Sequence, residues 1–493
     1  MRRFITSVQA VVLACGLLSM IHTPDANAQV ARTVGMFYVI SHCPDKAGTY
    51  NLSNILESDN PNALGPLGKT HWWGTPRAGY YCLSQNDALL REHATLLKAA
   101  GVDYIYVDIT NWHDFVYSDR SVEMVTQPFE NLLRVWGAMG AANTPKIIPW
   151  VKVTPETLTP PNRDMIQYIK EKMVGNPLAY MGNNKPVVFI APYAYPKGHP
   201  REGQSEYATT KLAQYAPSLL TINMWTGGFG EWKFIAPCWD LADFKNKRAI
   251  RACNQQGSAD GQQISVAPAF AQNWMSYAPT AVPKFNGATF LQQMETARLS
   301  NRPYIMITGW NEWVVGRTSW PGYGDRLFTD QYNQEYNRDL EPAARSGTLY
   351  YDLLKRSVTA LRNNTSVTAV AGSFGQTLGV IDGVASQRVN GWACSYGARI
   401  PVDVHLYVGG PPGVGTGIGS YPSDFASTTV ADRNAVANAC GSDGVAYRFS
   451  IRLPLSVRQA HQGKKIYIYA IHPTGGLPNN AVGNSGVFPV PVP

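Results

Sequence analysis

Residues 84–109 read SQNDALLREHATLLKAAGVDYIYVDI. Leu89, Leu90, Leu96, Leu97 and Ala100 recur at helical spacing and form one apolar stripe, with Ser84 and Asp87 placed as a capping-box-like start. Gly101 ends the helix, and Tyr104–Ile109 follows at once as a short, unbroken apolar run. A helix delivered straight into such a run predicts a parallel strand covered on both faces, because an exposed face would show alternation.

The same unit recurs outward from this stretch. Apolar runs stand at 34–40, 146–153, 186–193, 219–225, 263–270 and 304–310. Helical patterns between them start near Val122, Pro161, Ser205 and Ala288, and a last one covers Leu349–Leu361. Repeated strand and helix predict an α/β fold. About 330 residues and seven visible runs point to a (β/α)8 TIM barrel over 31–362, with its eighth strand around Trp232–Cys238. A doubly wound open sheet is the alternative, but no G-x-G-x-x-G or phosphate-binding loop follows any run.

After Arg362 the composition changes. Residues 363–377 form a Ser/Thr/Gly/Ala linker. Short alternating runs such as VDVHLYVGG and KKIYIYAI, spaced by turns such as GGPPGVGTG, predict a β-sandwich over 378–493.

Arg2 and Arg3, a short apolar stretch and Ala26-Asn27-Ala28 make residues 1–28 a signal peptide, which implies a secreted or periplasmic bacterial protein. No later stretch suits a membrane span. Outside the signal peptide lie six cysteines, an even number, as expected of disulfides in an exported chain. Fifteen connectivities are formally possible, and sequence order suggests Cys43 with Cys82, Cys238 with Cys253 and Cys394 with Cys440. The formal charge of +8 is scattered, with no Lys/Arg block, which argues against a nucleic-acid partner. A monomer is expected.

In a barrel the chemistry sits where strands end. Acids stand there beside tryptophan: Asp108 after the second run, Glu231 before Trp232, and Glu312 within WNEW (310–313). Glycoside hydrolysis needs two carboxyl groups, one donating a proton to the leaving oxygen and one acting as base or nucleophile. Flat aromatic faces suit the lining of a sugar cleft. Glu312, Glu231 and Asp108 are therefore the catalytic candidates. Trp72, Trp225, Trp310 and Trp313 would line the cleft, with His42, His71, Asn223 and Asn311 contacting substrate. Each has a plainer reading: Glu312 in a salt bridge, Asp108 paired at the rim, Glu231 as a surface acid, the tryptophans as core. The histidines lack metal-site spacing, and no metal or organic cofactor is implied.

ITGWNEW (307–313), with GVDYIYVDITNW (101–112), DQYNQEYNRDLEPA (330–343) and YYDLLKRS (350–357), resembles secreted proteins of the endo-α-mannosidase-like group, glycoside hydrolase family 99 and its relatives. The resemblance implies a (β/α)8 barrel that cleaves α-linked glycans internally with retention. The family's first catalytic glutamate, a base toward the sugar's own 2-hydroxyl, falls on Glu312. Its second, the acid, falls on Val315. The acid must then come from Glu231 or Asp108, or the barrel binds glycan without cleaving it. The mannan specificity does not carry over. The C-terminal block resembles β-sandwich modules appended to exported bacterial proteins. The reading is an exported glycoside hydrolase acting on a polysaccharide or oligosaccharide.

Overall fold

Every apolar run becomes a strand, and the eighth strand lies where the pattern left room for it. β1 (Thr33–Val39), β2 (Tyr104–Asp108), β3 (Lys146–Val153), β4 (Lys185–Pro192), β5 (Leu220–Trp225), β6 (Trp232–Lys233), β7 (Gln263–Val266) and β8 (Tyr304–Ile307) run parallel in the order β7-β8-β1-β2-β3-β4-β5-β6. The computed structural model describes residues 31–493 apart from 44–48, 59, 61–63, 68, 111–121, 154–164, 193–215, 226–230, 235–256, 270–283, 285–286, 321–323, 329–332, 335, 368–375, 397–400, 441–445 and 473–477. The expected signal peptide, the Cys238–Cys253 bridge and the helix near Ser205 lie outside the described residues, as does most of the expected linker.

Between β6 and β7, closure runs through side chains. The Lys233 N–H donates to Gln263 Oε1 at 2.9 Å, and Gln263 Nε2 returns a bond to Lys233 O at 2.9 Å. The Ser265 hydroxyl donates to the same carbonyl. The glutamine amide thus imitates one residue of a neighbouring strand.

The strands are apolar throughout because alternate residues enter two different cores. Phe37, Val39, Tyr106, Trp150, Phe189, Met224, Trp232, Phe234 and Met306 fill the barrel. Met36, Tyr38, Ile105, Val107, Ile305 and Ile307 face the surrounding helices. The interior is aromatic and solid, with Phe234 against Trp150 at 4.4 Å and Phe37 at 4.8 Å between ring centroids. Gly35 is required here, since a Cβ would lie 2.4 Å from the Tyr104 ring. Each large apolar side chain so buried contributes roughly 1.5–3 kcal/mol.

The longer described helices around the barrel are α1 (Asp87–Ala99), α2 (Gln127–Met139), α3 (Met165–Met173), α4 (Ala288–Leu299) and α5 (Leu349–Arg362). The start of α1 differs from expectation. Asn86 is the cap, its side chain accepting the Leu89 N–H at 3.0 Å, in place of the Ser84/Asp87 pair. Gly101 stops α1 as expected: φ is +78°, and the Val102 N–H reaches back to Leu97 O at 3.0 Å.

Two antiparallel four-stranded sheets make the C-terminal sandwich. One orders Thr377–Ala385, Arg388–Ser395, Ala446–Arg452 and Phe425–Ala426; the other orders Thr416–Pro422, Asp403–Val408, Ile466–Ala470 and Asn480–Ala481. Their inner faces share a separate core that includes Ile381, Val404, Leu406, Phe449, Ile466 and Ile468. Disulfides join Cys43 to Cys82 and Cys394 to Cys440. No described helix is long and apolar enough to cross a membrane.

Candidate active site

β8 ends at Ile307; the Thr308 N–H donates to Val266 O of β7 at 2.8 Å, and the residues from Gly309 to Trp313 are fixed by bonds to β1 and to a second segment. The Trp310 N–H donates to Phe37 O at 2.8 Å. Asn311 then serves Val39 with both ends of its amide: Oδ1 accepts the Val39 N–H at 2.8 Å and Nδ2 donates to Val39 O at 2.9 Å. The side chain continues the β8–β1 ladder one step past the strand, which turns Glu312 up at its end. Gly309 has little room for a side chain, since a Cβ would sit 3.0 Å from the Phe37 ring.

The second segment is Arg338–Glu341, and it clasps WNEW residue by residue. The Gly309 N–H donates to Arg338 O at 3.0 Å, and the Glu341 N–H to Trp310 O at 2.9 Å. Arg338 Nη2 meets Glu312 Oε2 at 2.7 Å. Asp339 supports the same glutamate from behind: Oδ1 accepts the Glu312 N–H at 2.5 Å, and Oδ2 the Trp73 indole N–H at 2.6 Å. Lys284 donates to Asp339 O at 2.7 Å with its ammonium 4.0 Å from the Tyr350 ring centre. Arg338, Asp339 and Lys284 are at most 2% exposed and Glu312 is 7% exposed, so the glutamate is the member nearest solvent.

Two acids and two bases thus occupy one nearly dry cluster. Such an arrangement is tolerable only because the charges are paired and hydrogen-bonded. Burial, then the neighbouring Glu312 charge, push the Asp339 carboxyl up from its ordinary 3.8 to about 8, against the opposing pull of Lys284 and the two N–H donors. The Tyr106 hydroxyl, inside the barrel, donates to Ile307 O at 3.1 Å and meets Thr308 Oγ1 at 3.2 Å, so this interior ring reaches the end of β8 from which Glu312 follows.

A separate buried network lies outside the barrel wall. Glu341 accepts the Tyr81 hydroxyl at 2.8 Å and the Trp313 indole N–H, and faces His93 Nε2 at 3.0 Å. His93 Nδ1 faces the Tyr38 hydroxyl at 2.8 Å. A proton on Nε2 satisfies this chain, with Nδ1 accepting from Tyr38.

Several expectations are corrected by these contacts. Trp310 and Trp313 are fully buried and Trp72 is 1% exposed, so none is a sugar-facing wall. Trp313 stacks on Trp73 with centroids 4.3 Å apart, and Trp310 packs on His93 and Tyr351. Asn311 is spent on Val39. His42 is fully buried, its Nε2 2.6 Å from Asn311 O, and burial lowers it from 6.5 to about 4, so its ring is neutral near pH 7. His71 lies between Lys69 O and Leu64 O, and burial lowers it too. Asn223 pairs in register with Ile190, an outward-facing residue, and so points away from the barrel interior. Glu231 is exposed, and its carboxylate accepts the Asn223 N–H at 3.2 Å.

Asp108 is placed as expected. It stands in register with Val39 and Trp150, both inward-facing, and so caps the interior face of β2 two residues beyond Tyr106. Its Oδ1 accepts the Thr110 N–H at 2.8 Å and the Thr110 hydroxyl at 2.6 Å. Val315 lies in a strand, Val314–Trp320, paired with His71 of Thr70–Trp72. The side chain of Trp225 lies outside the described residues. Among the described residues no cluster of His, Cys, Asp or Glu could hold a metal ion.

Arg338, Asp339, Glu341 and Lys284 were not among the residues expected at the site. The signal for three of them was NRDLEPA itself, where three charges flank one leucine.

No family model matches the chain, and no curated protein matches it. Among solved structures it is similar to the glycoside hydrolase family 99 endo-α-mannosidase of Bacteroides thetaiotaomicron, at 16% identity and a TM-score of 0.39 over 68% of this chain and 99% of that one. It is also similar to a glycoside hydrolase-like protein, at 12% identity and a TM-score of 0.37, covering 67% of this chain and 95% of that chain. A putative α-L-fucosidase from Bacteroides ovatus matches at 10% identity and a TM-score of 0.26, covering 86% of this chain and 68% of that one. The barrel assignment stands on strand order and register.

Proposed function

We propose that residues 31–362 form a glycosidase acting within polysaccharide chains, that residues 378–493 are its accessory domain, and that the protein works outside the cytoplasm. The observation that carries this reading is Glu312, delivered by the last barrel strand to the edge of the interior and ion-paired with buried Arg338. Arg338 favours the ionised glutamate, as a base or nucleophile requires. Asp108 is the proposed acid. It caps the inward face two residues above Tyr106, whose hydroxyl donates to Ile307 O at the end of β8. Glu231 is less suited, since it is exposed and bonded to Asn223, a residue that faces away from the barrel interior. Two disulfides support an oxidising compartment.

The test is release of reducing ends from neutral and acidic polysaccharides by wild type, Glu312→Gln and Asp108→Asn. Loss of about 10²–10⁴-fold is expected for each, with circular dichroism unchanged. Release by Glu312→Gln at the wild-type rate would sink the reading.

A second reading is a barrel that binds glycan without cleaving it. Val315 favours it, because the position where the resemblance places an acid is a strand residue paired with His71. Glycan binding by wild type with no release from any substrate would support it.

A further inference from the structure

The turn GGPPGVGTG (409–417) and the sheet beside it take no part in the barrel. Asp403–Val408 and Ile466–Ala470 are neighbours in the second sandwich sheet, with His405 opposite Tyr469 and Tyr407 opposite Tyr467. Their alternate residues Val404, Leu406, Ile466 and Ile468 are buried in the sandwich core, so the four rings share the outer face, each half-buried. Tyr407 and Tyr469 meet edge to face at 6.0 Å. The rings form a two-by-two grid with steps of about 5 Å across the strands and about 7 Å along them.

Small residues flank this grid. Gly417 stands opposite Tyr407 on the next strand, where a Cβ would lie 3.5 Å from the ring. Ala481 stands opposite Tyr469, and Gly486 lies against Tyr467, where a Cβ would come within 2.9 Å. Nothing larger shields the rings from either side at those positions.

At one end the grid meets a cavity of about 360 Å³, lined by Tyr467, Thr416, Val414, Lys464 and Lys465. Its rim is a preformed turn. Both Val414 and Gly415 donate their N–H to Pro411 O, at 3.0 and 2.8 Å, and a Cβ on Gly415 would strike the Gly410 carbonyl. Lys464 and Lys465 are exposed, and among the described residues no carboxylate lines the cavity.

We propose that this face binds an anionic polysaccharide bearing uronate carboxylates, with sugar rings on the His405–Tyr407–Tyr467–Tyr469 grid and a carboxylate at Lys464 and Lys465. Aromatic faces carry the apolar side of a pyranose, and the ammonium groups supply complementary charge. A nucleic acid fits less well. Its phosphates recur at every step, whereas the two lysines that line the cavity, Lys464 and Lys465, stand at one end of the grid. The proposal does not depend on catalysis in the barrel.

The test titrates oligogalacturonate into the full-length protein at physiological salt, with a dextran oligosaccharide and a single-stranded oligonucleotide as comparisons. Saturable binding of the uronate alone is expected. The double variant Tyr407→Ala, Tyr467→Ala should weaken it at least about tenfold. Lys464→Glu, an exposed substitution that leaves the sheet intact, should weaken it by about as much. The proposal is overturned if the uronate does not bind, if dextran or the oligonucleotide binds as well, or if Lys464→Glu binds like wild type.

Discussion

Arg338 Nη2 lies 2.7 Å from Glu312 Oε2, and the arginine side chain is 1% exposed. A guanidinium so enclosed depends on this carboxylate. Arg338→Met should cost about 3–5 kcal/mol in urea unfolding, because it strands a charge. Replacing both residues by methionine should recover a large part of that loss. Additive single losses in this cycle would mean that the two groups do not act as a pair.

Asp339 predicts a pH dependence with a definite sign. Its carboxyl is held at about 8 against an ordinary 3.8, so the folded protein keeps this proton more firmly than the unfolded chain does. Its contribution to stability is full below about pH 4 and falls as pH rises toward 8. Stability curves of wild type and Asp339→Asn should converge or cross over that window. A constant gap between them would show that Asp339 is already ionised at pH 4.

His42 predicts the opposite slope. Burial holds it at about 4 against an ordinary 6.5, so the folded protein resists taking up this proton. Its contribution is present above pH 6.5 and is lost as pH falls through 4. His42→Phe should therefore lose less stability than wild type between pH 6.5 and 4. Equal acid sensitivity would remove His42 from that role.

Glu341 is a structural acid. Glu341→Leu leaves the Tyr81 hydroxyl, the Trp313 indole N–H and His93 without their shared acceptor, at a cost of about 3 kcal/mol or more. Glu341→Gln keeps one acceptor oxygen and should cost less. Thermal unfolding of both variants checks the order.

Seven of the barrel strands were legible because parallel strands are apolar on both faces. β6 has two residues, too few for a pattern, and was located only by the gap it had to fill. The residue facing was harder to read. Asn223 stands near a strand end beside Trp225, yet alternation turns it outward with Ile190. Trp310 and Trp313 suggested a sugar-facing wall, but the turn after Ile307 rolls both indoles into the packing behind the site. The clasp by Arg338–Glu341 joins segments separated by the Val314–Trp320 and Gly324–Phe328 strand pair. No periodicity reports a meeting of that kind. The two blocks stood out in the sequence without showing that they touch.

Two side-chain amides stand in for backbone in this barrel, Asn311 beside Val39 and Gln263 beside Lys233. A ladder distributes its load over many residues, whereas the first of these joints hangs on one rotamer and the second on Gln263 with the Ser265 hydroxyl beside it. The β6–β7 seam is therefore the place where solvent deuterons should first reach barrel amides, with Lys233 exchanging ahead of the β1–β2 core. Gln263→Ala would open that joint without touching the mouth, separating local breathing of the barrel wall from the role proposed for Glu312.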